Sequence, residues 1–140
     1  MTHLPAPQGD EAAAQIIADL DDMYAAFMTA DWDRFNVHVD PTVTAWETHL
    51  PDMILSQAGL DEYRASRPAP QKLASFGAHD HRIDTWGDTS VARYLLSGLS
   101  DTVPAVARQS RVTEVFRWDG SRWRIVHRHS ERLSGAVAPL

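Results

Sequence analysis

The segment from Arg111 to Ser130 constrains the fold of this chain more than any other. Two runs of alternating residue types flank Asp119-Gly120, a pair that readily adopts the positive φ angles of a tight two-residue turn. The pattern predicts two antiparallel strands joined by that turn. Successive strand residues point to opposite faces, which assigns Arg128 to one face of the second strand. The other face carries two apolar residues followed by two histidines: Trp123, Ile125, His127 and His129.

The rest of the chain predicts a single α+β domain over residues 1–140. Residues 1–8 contain two prolines and are expected to form a flexible arm. Apolar residues at three- and four-residue intervals predict a long helix from an Asp10 N-cap to Ala30. Three shorter elements follow: a helix after Asp31, a strand over 42–47, and a helix over 59–67 that ends at the run Pro68-Ala69-Pro70. Four alternating segments, 75–86, 90–100, 105–118 and 121–132, then predict an antiparallel meander that covers the long helix.

Charge and missing residue types exclude several classes of protein. The chain contains no cysteine, so neither disulfides nor thiolate chemistry are expected. A formal net charge of -6 argues against nucleic acid and anionic membrane as partners. No apolar run reaches the roughly 20 residues of a membrane span, and the N-terminus lacks a signal-peptide pattern. We therefore expect a cytoplasmic protein.

Three segments of the chain resemble the nuclear transport factor 2-like (NTF2-like) superfamily, and they occur in the same order as in its members. They are Asp31-Trp32-Asp33, residues 40–47 (DPTVTAWE), and residues 109–130, which end in Trp123 and His127-Arg128-His129-Ser130. More narrowly, they resemble its SnoaL-like members and the association (hub) domain of calcium/calmodulin-dependent protein kinase II. The resemblance implies a cystatin-like cone, in which a curved antiparallel sheet wraps an N-terminal helix around a cavity. It also implies homodimers through the outer face of the sheet. The superfamily contains isomerases, dehydratases, cyclases and epoxide hydrolases besides catalytically silent modules, so the fold alone does not give a function.

Departures from the resembling proteins narrow these expectations. At the place where ketosteroid isomerase-like enzymes carry an aspartate base, this chain has Trp46, and Glu47 follows with its side chain expected on the other face. The tyrosine of those enzymes falls nearest Met23, one residue before Tyr24, so steroid isomerisation is disfavoured. The arginines of the kinase hub pocket are replaced here by other residues, and Arg108 and Arg111 are the nearest substitutes.

Two His-x-His pairs, His79 with His81 and His127 with His129, are each expected on one strand face. Structural histidines, a general acid or base, and a metal site are the three interpretations of such pairs. We assign neither a metal nor a cofactor. Glu47 and His127 are the predicted proton carriers. The predicted ligand contacts are Trp46, Tyr24, Tyr94, Arg108, Arg111 and His129.

The sequence thus favours a homodimeric pocket protein that binds a polar or carboxylate-bearing small molecule. Cofactor-independent isomerase or lyase chemistry is compatible with such a pocket, and the sequence does not decide whether the protein is an enzyme. The alternative is a non-catalytic module for homo-oligomerisation, like the kinase hub.

Overall fold

A computed structural model describes residues 3–48, 50–66 and 73–133 of the chain. Three helices and five strands follow in the order α1 Gly9–Met28, α2 Trp32–Asn36, β1 Val39–Trp46, α3 Gln57–Ser66, β2 Leu73–Trp86, β3 Thr89–Ser100, β4 Ala107–Trp118 and β5 Trp123–Arg132. None of the described helices is long and apolar enough to cross a membrane. The predicted residue 67 of α3 and the prolines after it lie outside the described residues.

The five strands form one sheet in the order β1-β5-β4-β3-β2. The predicted meander is confirmed, because β2 to β5 pair antiparallel with their neighbours in sequence. Strand β1 instead joins the free edge of β5 in parallel, with Trp46 opposite His129. The sheet is therefore mixed, and β1 reaches the mouth of the cone beside the end of β5.

Helix α1 fills the concave side of the sheet, as its apolar stripe predicts. Its buried residues recur every three or four positions and are Ala12, Ile16, Leu20, Met23, Tyr24 and Ala26. They share one core with sheet residues such as Ala92, Phe116 and Ile125. The helix begins at Gly9, so Asp10 lies within the first turn, where its charge complements the helix dipole, and is not the N-cap.

A β-bulge in β5 reverses the predicted faces of its second half. Val115 pairs with His127 while the next residue, Phe116, pairs with Ile125, so Val126 is an extra residue without a partner on β4. Beyond the bulge, Arg128 pairs with the buried Glu114 on the concave face. The prediction that His127 and His129 share a face with Trp123 and Ile125 is wrong for this reason, and Arg128 lies inside the cone.

A second bulge, in β2, separates the first histidine pair. His79 pairs with Leu95 but Arg82 pairs with Arg93, which leaves one extra residue between them, and Asp80 takes a φ of 55°. The imidazole of His79 bonds to Ser97, whereas the ring of His81 lies 5.7 Å from that of Tyr94. The prediction that both imidazoles point to one face is wrong, since Tyr94 and Ser97 lie on opposite faces of β3.

The arm ahead of α1 is anchored at two hairpins of the sheet, β2–β3 and β4–β5. Leu4 donates its amide hydrogen to the carbonyl of Gly120 at 2.9 Å and accepts a hydrogen bond from Trp118 Nε1 at 2.7 Å. Gln8 donates its side-chain amide to the carbonyl of Gly87 at 2.8 Å. The described part of the arm, residues 3–8, is therefore hydrogen-bonded to the sheet, and its flexibility stays a prediction.

The β4–β5 turn differs in length from the prediction. Trp118 pairs with Trp123, so four residues connect the strands, and Asp119 Oδ1 accepts backbone hydrogen bonds from Ser121 and Arg122 at 2.9 Å each. Of the predicted Asp119-Gly120 pair, only Gly120 has a positive φ, 103°.

Replacing this glycine should destabilise the domain. A Cβ at position 120 would lie 2.6 Å from His3 Nδ1, on a backbone conformation that L-residues rarely adopt. We expect Gly120→Ala to lower the free energy of unfolding by about 1–2 kcal/mol, measured by urea denaturation. The control is Gly77→Ala on β2, where an added Cβ meets nothing within 4 Å. Equal stabilities of the two variants would contradict the turn geometry.

Candidate functional site

Arg128 is the centre of a polar cluster buried inside the cone. Its Nη1 donates hydrogen bonds to Glu114 Oε2 at 3.0 Å and to Tyr24 Oη at 2.8 Å. Its Nε donates to Glu47 Oε1 at 3.0 Å. The guanidinium thus bridges two carboxylates, one on β4 and one directly after the end of β1. Removing such ions from water is costly unless each finds partners, and in this cluster each does.

Glu114 is the innermost member, with none of its surface exposed. Burial raises the pKa of this carboxyl group, and the neighbouring Arg128 opposes that rise. The hydroxyl of Tyr94 donates a short hydrogen bond to Glu114 Oε1. Both oxygens of Glu114 are therefore bonded, and the carboxyl group is favoured in its protonated form more than an exposed glutamate is.

Two tyrosines close a ring of hydrogen bonds between Glu114 and Arg128. The hydroxyl oxygens of Tyr24 and Tyr94 lie 2.6 Å apart. Because Tyr94 gives its hydrogen to Glu114, its oxygen accepts from Tyr24, which in turn accepts from Arg128. Burial raises the pKa of Tyr24 to about 12 and also raises the pKa of Tyr94 well above its ordinary value. Both hydroxyls consequently stay protonated at neutral pH.

Glu47 connects this cluster to the surface. Its side chain faces inward because Ala45 and Val43, two and four residues earlier, are buried on the same face. Glu47 points away from Trp46, as predicted, but the inward side is that of Glu47 and not that of Trp46. Ser130 Oγ donates to its second oxygen, Oε2, at 3.0 Å. Only 18% of the Glu47 side chain is exposed. Both carboxylate oxygens are thus held in fixed positions.

An open cleft of about 440 Å³ lies at the mouth of the cone next to Glu47. Its walls come from the end of β1, the segment after it and the end of β5: Trp46, Glu47, Thr48, Leu50, His129, Ser130, Glu131 and Arg132. An indole and a leucine side chain supply apolar surface, and the remaining residues supply hydroxyl, imidazole and charged groups. The cleft is therefore more polar than the mostly apolar pockets that usually hold small molecules.

The structure brings together some of the predicted site residues and separates others. Glu47, Tyr24 and Tyr94 belong to one cluster, and Trp46 and His129 line the adjacent cleft. His127 lies on the outer face, where its Nδ1 bonds to Thr44 Oγ1 at 2.7 Å.

The two arginines predicted to contact a ligand lie elsewhere on the surface. Arg108 is exposed. Arg111 has 61% of its side chain exposed and pairs with Glu131 at 3.1 Å. The arginine next to the predicted proton carrier Glu47 is therefore Arg128.

Three members of the site were not identified from sequence: Arg128, Glu114 and Ser130. A signal for Glu114 was present, because it interrupts an apolar face formed by Val112, Phe116 and Trp118 at every second position. An acidic residue on such a face has to be buried with a partner or distort the strand. Arg128 and Ser130 gave no such signal, because regular alternation without the bulge turns both outward.

The described residues hold no cluster of three or more histidine, cysteine, aspartate or glutamate side chains arranged to bind a metal ion. His79 and His81 point to opposite faces, as shown above. Residues within the described ranges therefore do not support the metal-site interpretation of the His-x-His pairs.

The geometry defines an α+β cone that encloses an ionisable cluster beneath a surface cleft. A family model for the SnoaL-like domain matches residues 16–131, and the chain belongs to this family. Among curated proteins, none matches the sequence.

Solved structures with the same fold include hub domains and NTF2-like proteins. The calcium/calmodulin-dependent protein kinase II hub of S. rosetta is 23% identical, with 91% of this chain and 100% of the hub covered and a TM-score of 0.77. A proposed dehydratase of the NTF2-like family from Streptomyces avermitilis is 17% identical, with coverages of 91% and 100% and a TM-score of 0.77. An NTF2-like protein with a cystatin-like fold from Novosphingobium aromaticivorans is 16% identical, with coverages of 90% and 84% and a TM-score of 0.76. These likenesses confirm the predicted cone fold.

The ring of hydrogen bonds predicts an unusual tyrosine titration. Tyr24 should not ionise below about pH 11, because burial raises its pKa to about 12. The rise in absorbance at 295 nm between pH 9 and 11 should therefore be the same for the wild type and for Tyr24→Phe. A rise that is clearly smaller in the variant would show that Tyr24 is accessible to water.

Proposed function

We propose that this protein binds a small polar organic molecule in the cleft at the mouth of the cone, with Glu47 accepting a hydrogen bond or a proton from it. One observation carries the proposal: Glu47 belongs to the buried cluster and also lines the cleft. Arg128 and Ser130 fix its two oxygens, so the carboxylate is oriented before a ligand arrives. Preorganised groups of this kind act more efficiently than mobile ones.

The chemistry that fits this site is cofactor-independent acid/base catalysis of the isomerase or lyase type. Glu47 would remove a proton from a carbon next to a carbonyl group, which places negative charge on the carbonyl oxygen. Trp46 and Leu50 would pack against the apolar part of the molecule. His129 and Arg132, at the rim, are the groups of the cleft that suit a carboxylate on the ligand.

Binding is tested by nuclear magnetic resonance with a library of small ketones, carboxylic acids and amines. We expect ligands to shift the indole resonance of Trp46 and the backbone amides of Thr48 and Ser130. Glu47→Gln should weaken binding by about tenfold or more, which corresponds to the loss of a charge-assisted hydrogen bond. The control is Glu62→Gln, an exposed glutamate on α3. Ligands that shift only resonances distant from the cleft would contradict the proposal.

Catalysis is tested separately with any ketone that binds. In heavy water, wild-type protein should speed the exchange of hydrogen for deuterium next to the carbonyl, and Glu47→Gln should reduce that rate by roughly 10²–10⁴-fold. If the ketone binds in the cleft but exchanges at the same rate with both proteins, the cleft is a binding site without acid/base chemistry.

The second candidate function is a non-catalytic homo-oligomerisation module. Its support is the likeness to kinase hub domains over nearly the whole chain, with the S. rosetta hub fully covered. Size-exclusion chromatography with light scattering separates the two candidates. A dimer formed through the outer sheet face favours the pocket protein, and a closed ring of many subunits favours the assembly module.

A further inference from the structure

Three side chains on the outer face of the sheet form a line of hydrogen bonds apart from the cone interior. Asp80 Oδ2 lies 2.9 Å from His79 Nδ1, and His79 Nε2 lies 2.7 Å from Ser97 Oγ. Ser97 is on β3 three residues after Tyr94, and strand alternation places the two on opposite faces. The line therefore shares no residue with the Glu47 site.

The carboxylate of Asp80 sets the direction of these hydrogen bonds. Because a carboxylate only accepts, Nδ1 of the uncharged imidazole carries the hydrogen that points to Asp80. Nε2 is then unprotonated and accepts the hydroxyl hydrogen of Ser97, whose oxygen also accepts from Gln109 Nε2 at 3.0 Å. This is the tautomer that a histidine needs to remove a proton from a serine hydroxyl.

The backbone conformation of Asp80 brings its carboxylate to the imidazole of His79. Asp80 has a φ of 55°, in the left-handed region that non-glycine residues seldom occupy. It lies in the β2 bulge, between His79 and Arg82, which each pair with a residue of β3. In a regular strand, consecutive side chains point to opposite faces, so the bulge is what allows Asp80 to reach the imidazole of its neighbour. Strained backbone of this kind is found disproportionately at functional sites.

We propose that Ser97, His79 and Asp80 form a second, nucleophilic site that accepts an acyl group from a small ester. Ser97 Oγ attacks the carbonyl carbon, and its proton passes to His79 Nε2. The bond between carbon and the leaving oxygen then breaks, and that oxygen takes the proton from His79. Water, activated by the same nitrogen, hydrolyses the acyl-serine and restores the hydroxyl. Asp80 holds the imidazole and stabilises its positive charge.

Exposure of the three residues limits the size of the substrate. Ser97 is only 2% exposed, whereas 34% of the His79 side chain and 74% of the Asp80 side chain are exposed. The approach to Ser97 Oγ therefore runs along the imidazole, with displacement of the Gln109 side chain. Short acyl groups such as acetyl fit this approach, and polymeric substrates do not.

The test uses the intact protein and a small organophosphorus fluoride, diisopropyl fluorophosphate, with mass spectrometry of the whole chain and of its peptides. The reaction joins Ser97 Oγ to phosphorus and releases fluoride. We expect one adduct at Ser97, none in Ser97→Ala, and a rate at least about tenfold lower in His79→Gln. Asp80→Asn removes no buried contact, so it should fold and should also label more slowly. Ser75→Ala, at a half-buried position on β2, is the control that should label like the wild type.

Three results would overturn the proposal. These are the absence of an adduct at Ser97 in folded wild-type protein, labelling of other serines only, and equal labelling rates in His79→Gln and the wild type. Circular dichroism of each variant establishes that it is folded before its rate is compared. Because no Glu47-site residue is altered, failure here leaves the proposed function untouched.

Discussion

Arg128→Met should lower the free energy of unfolding by about 3–5 kcal/mol. The substitution keeps much of the side-chain volume but leaves Glu114, which is fully buried, and Glu47 without their shared cation. Tyr24 loses the donor to its hydroxyl at the same time. An unpaired buried charge costs far more than a missing surface ion pair, so the effect exceeds that of most single substitutions.

Thermal and urea unfolding measure this effect, and a fall of roughly 10 °C or more in the midpoint is expected. The matched control is Arg111→Met, which removes an ion pair of similar length whose arginine side chain is 61% exposed. That control should leave the midpoint nearly unchanged, because exposed pairs contribute little. If both variants lose the same stability, Arg128 does not lie inside the cone.

The free energy of unfolding of Glu114→Gln, relative to that of the wild type, should increase as the pH rises. Burial raises the pKa of Glu114 in the folded protein above the ordinary value of 4.5. A raised folded pKa gives a contribution to stability that is complete below pH 4.5 and is lost as the pH rises through the folded pKa. Glutamine keeps an acceptor oxygen for Arg128, and its amide can donate to the hydroxyl oxygen of Tyr94. It cannot ionise, so the variant has no such loss.

Urea unfolding of both proteins at pH 5 and pH 8 measures this difference. We expect the stability of the variant minus that of the wild type to be larger at pH 8 by roughly 1 kcal/mol or more. Carboxylates with lowered pKa values, such as Asp22 and Asp119, affect both proteins equally and cancel. A difference that is constant with pH, or that shrinks toward pH 8, would mean that Glu114 is not destabilised by burial.

Much of the fold was predictable because it follows from local patterns. The three- and four-residue spacing in α1 gives the helix and its buried face, and the alternation in β2 to β5 gives the meander. The resemblance carried by residues 31–33, 40–47 and 109–130 led to the cone and to the family. Of the candidate site, Glu47, Tyr24 and Tyr94 were identified in advance.

Arg128 and Ser130 were not predicted as part of the site because a single extra residue in a strand breaks the alternation of side chains between the two faces. One extra residue, Val126, exchanges the faces of everything after it in β5, so Arg128 and Ser130 turn inward while His127 and His129 turn outward. The bulge at Asp80 likewise places His79 and His81 on opposite faces of the sheet. Bulges depend on how neighbouring strands pair, and that pairing is not contained in the pattern of one strand.

The placement of Arg128 against Glu47 is tested most directly by a double-mutant cycle of unfolding free energies with Arg128→Met and Glu47→Gln. Side chains in direct contact give coupling energies of about 0.5–3 kcal/mol, and those of distant residues add independently. We predict a coupling of at least about 1 kcal/mol between Arg128 and Glu47, which are 3.0 Å apart. Additive effects of the two substitutions would contradict this placement, and with it the site at the mouth of the cone.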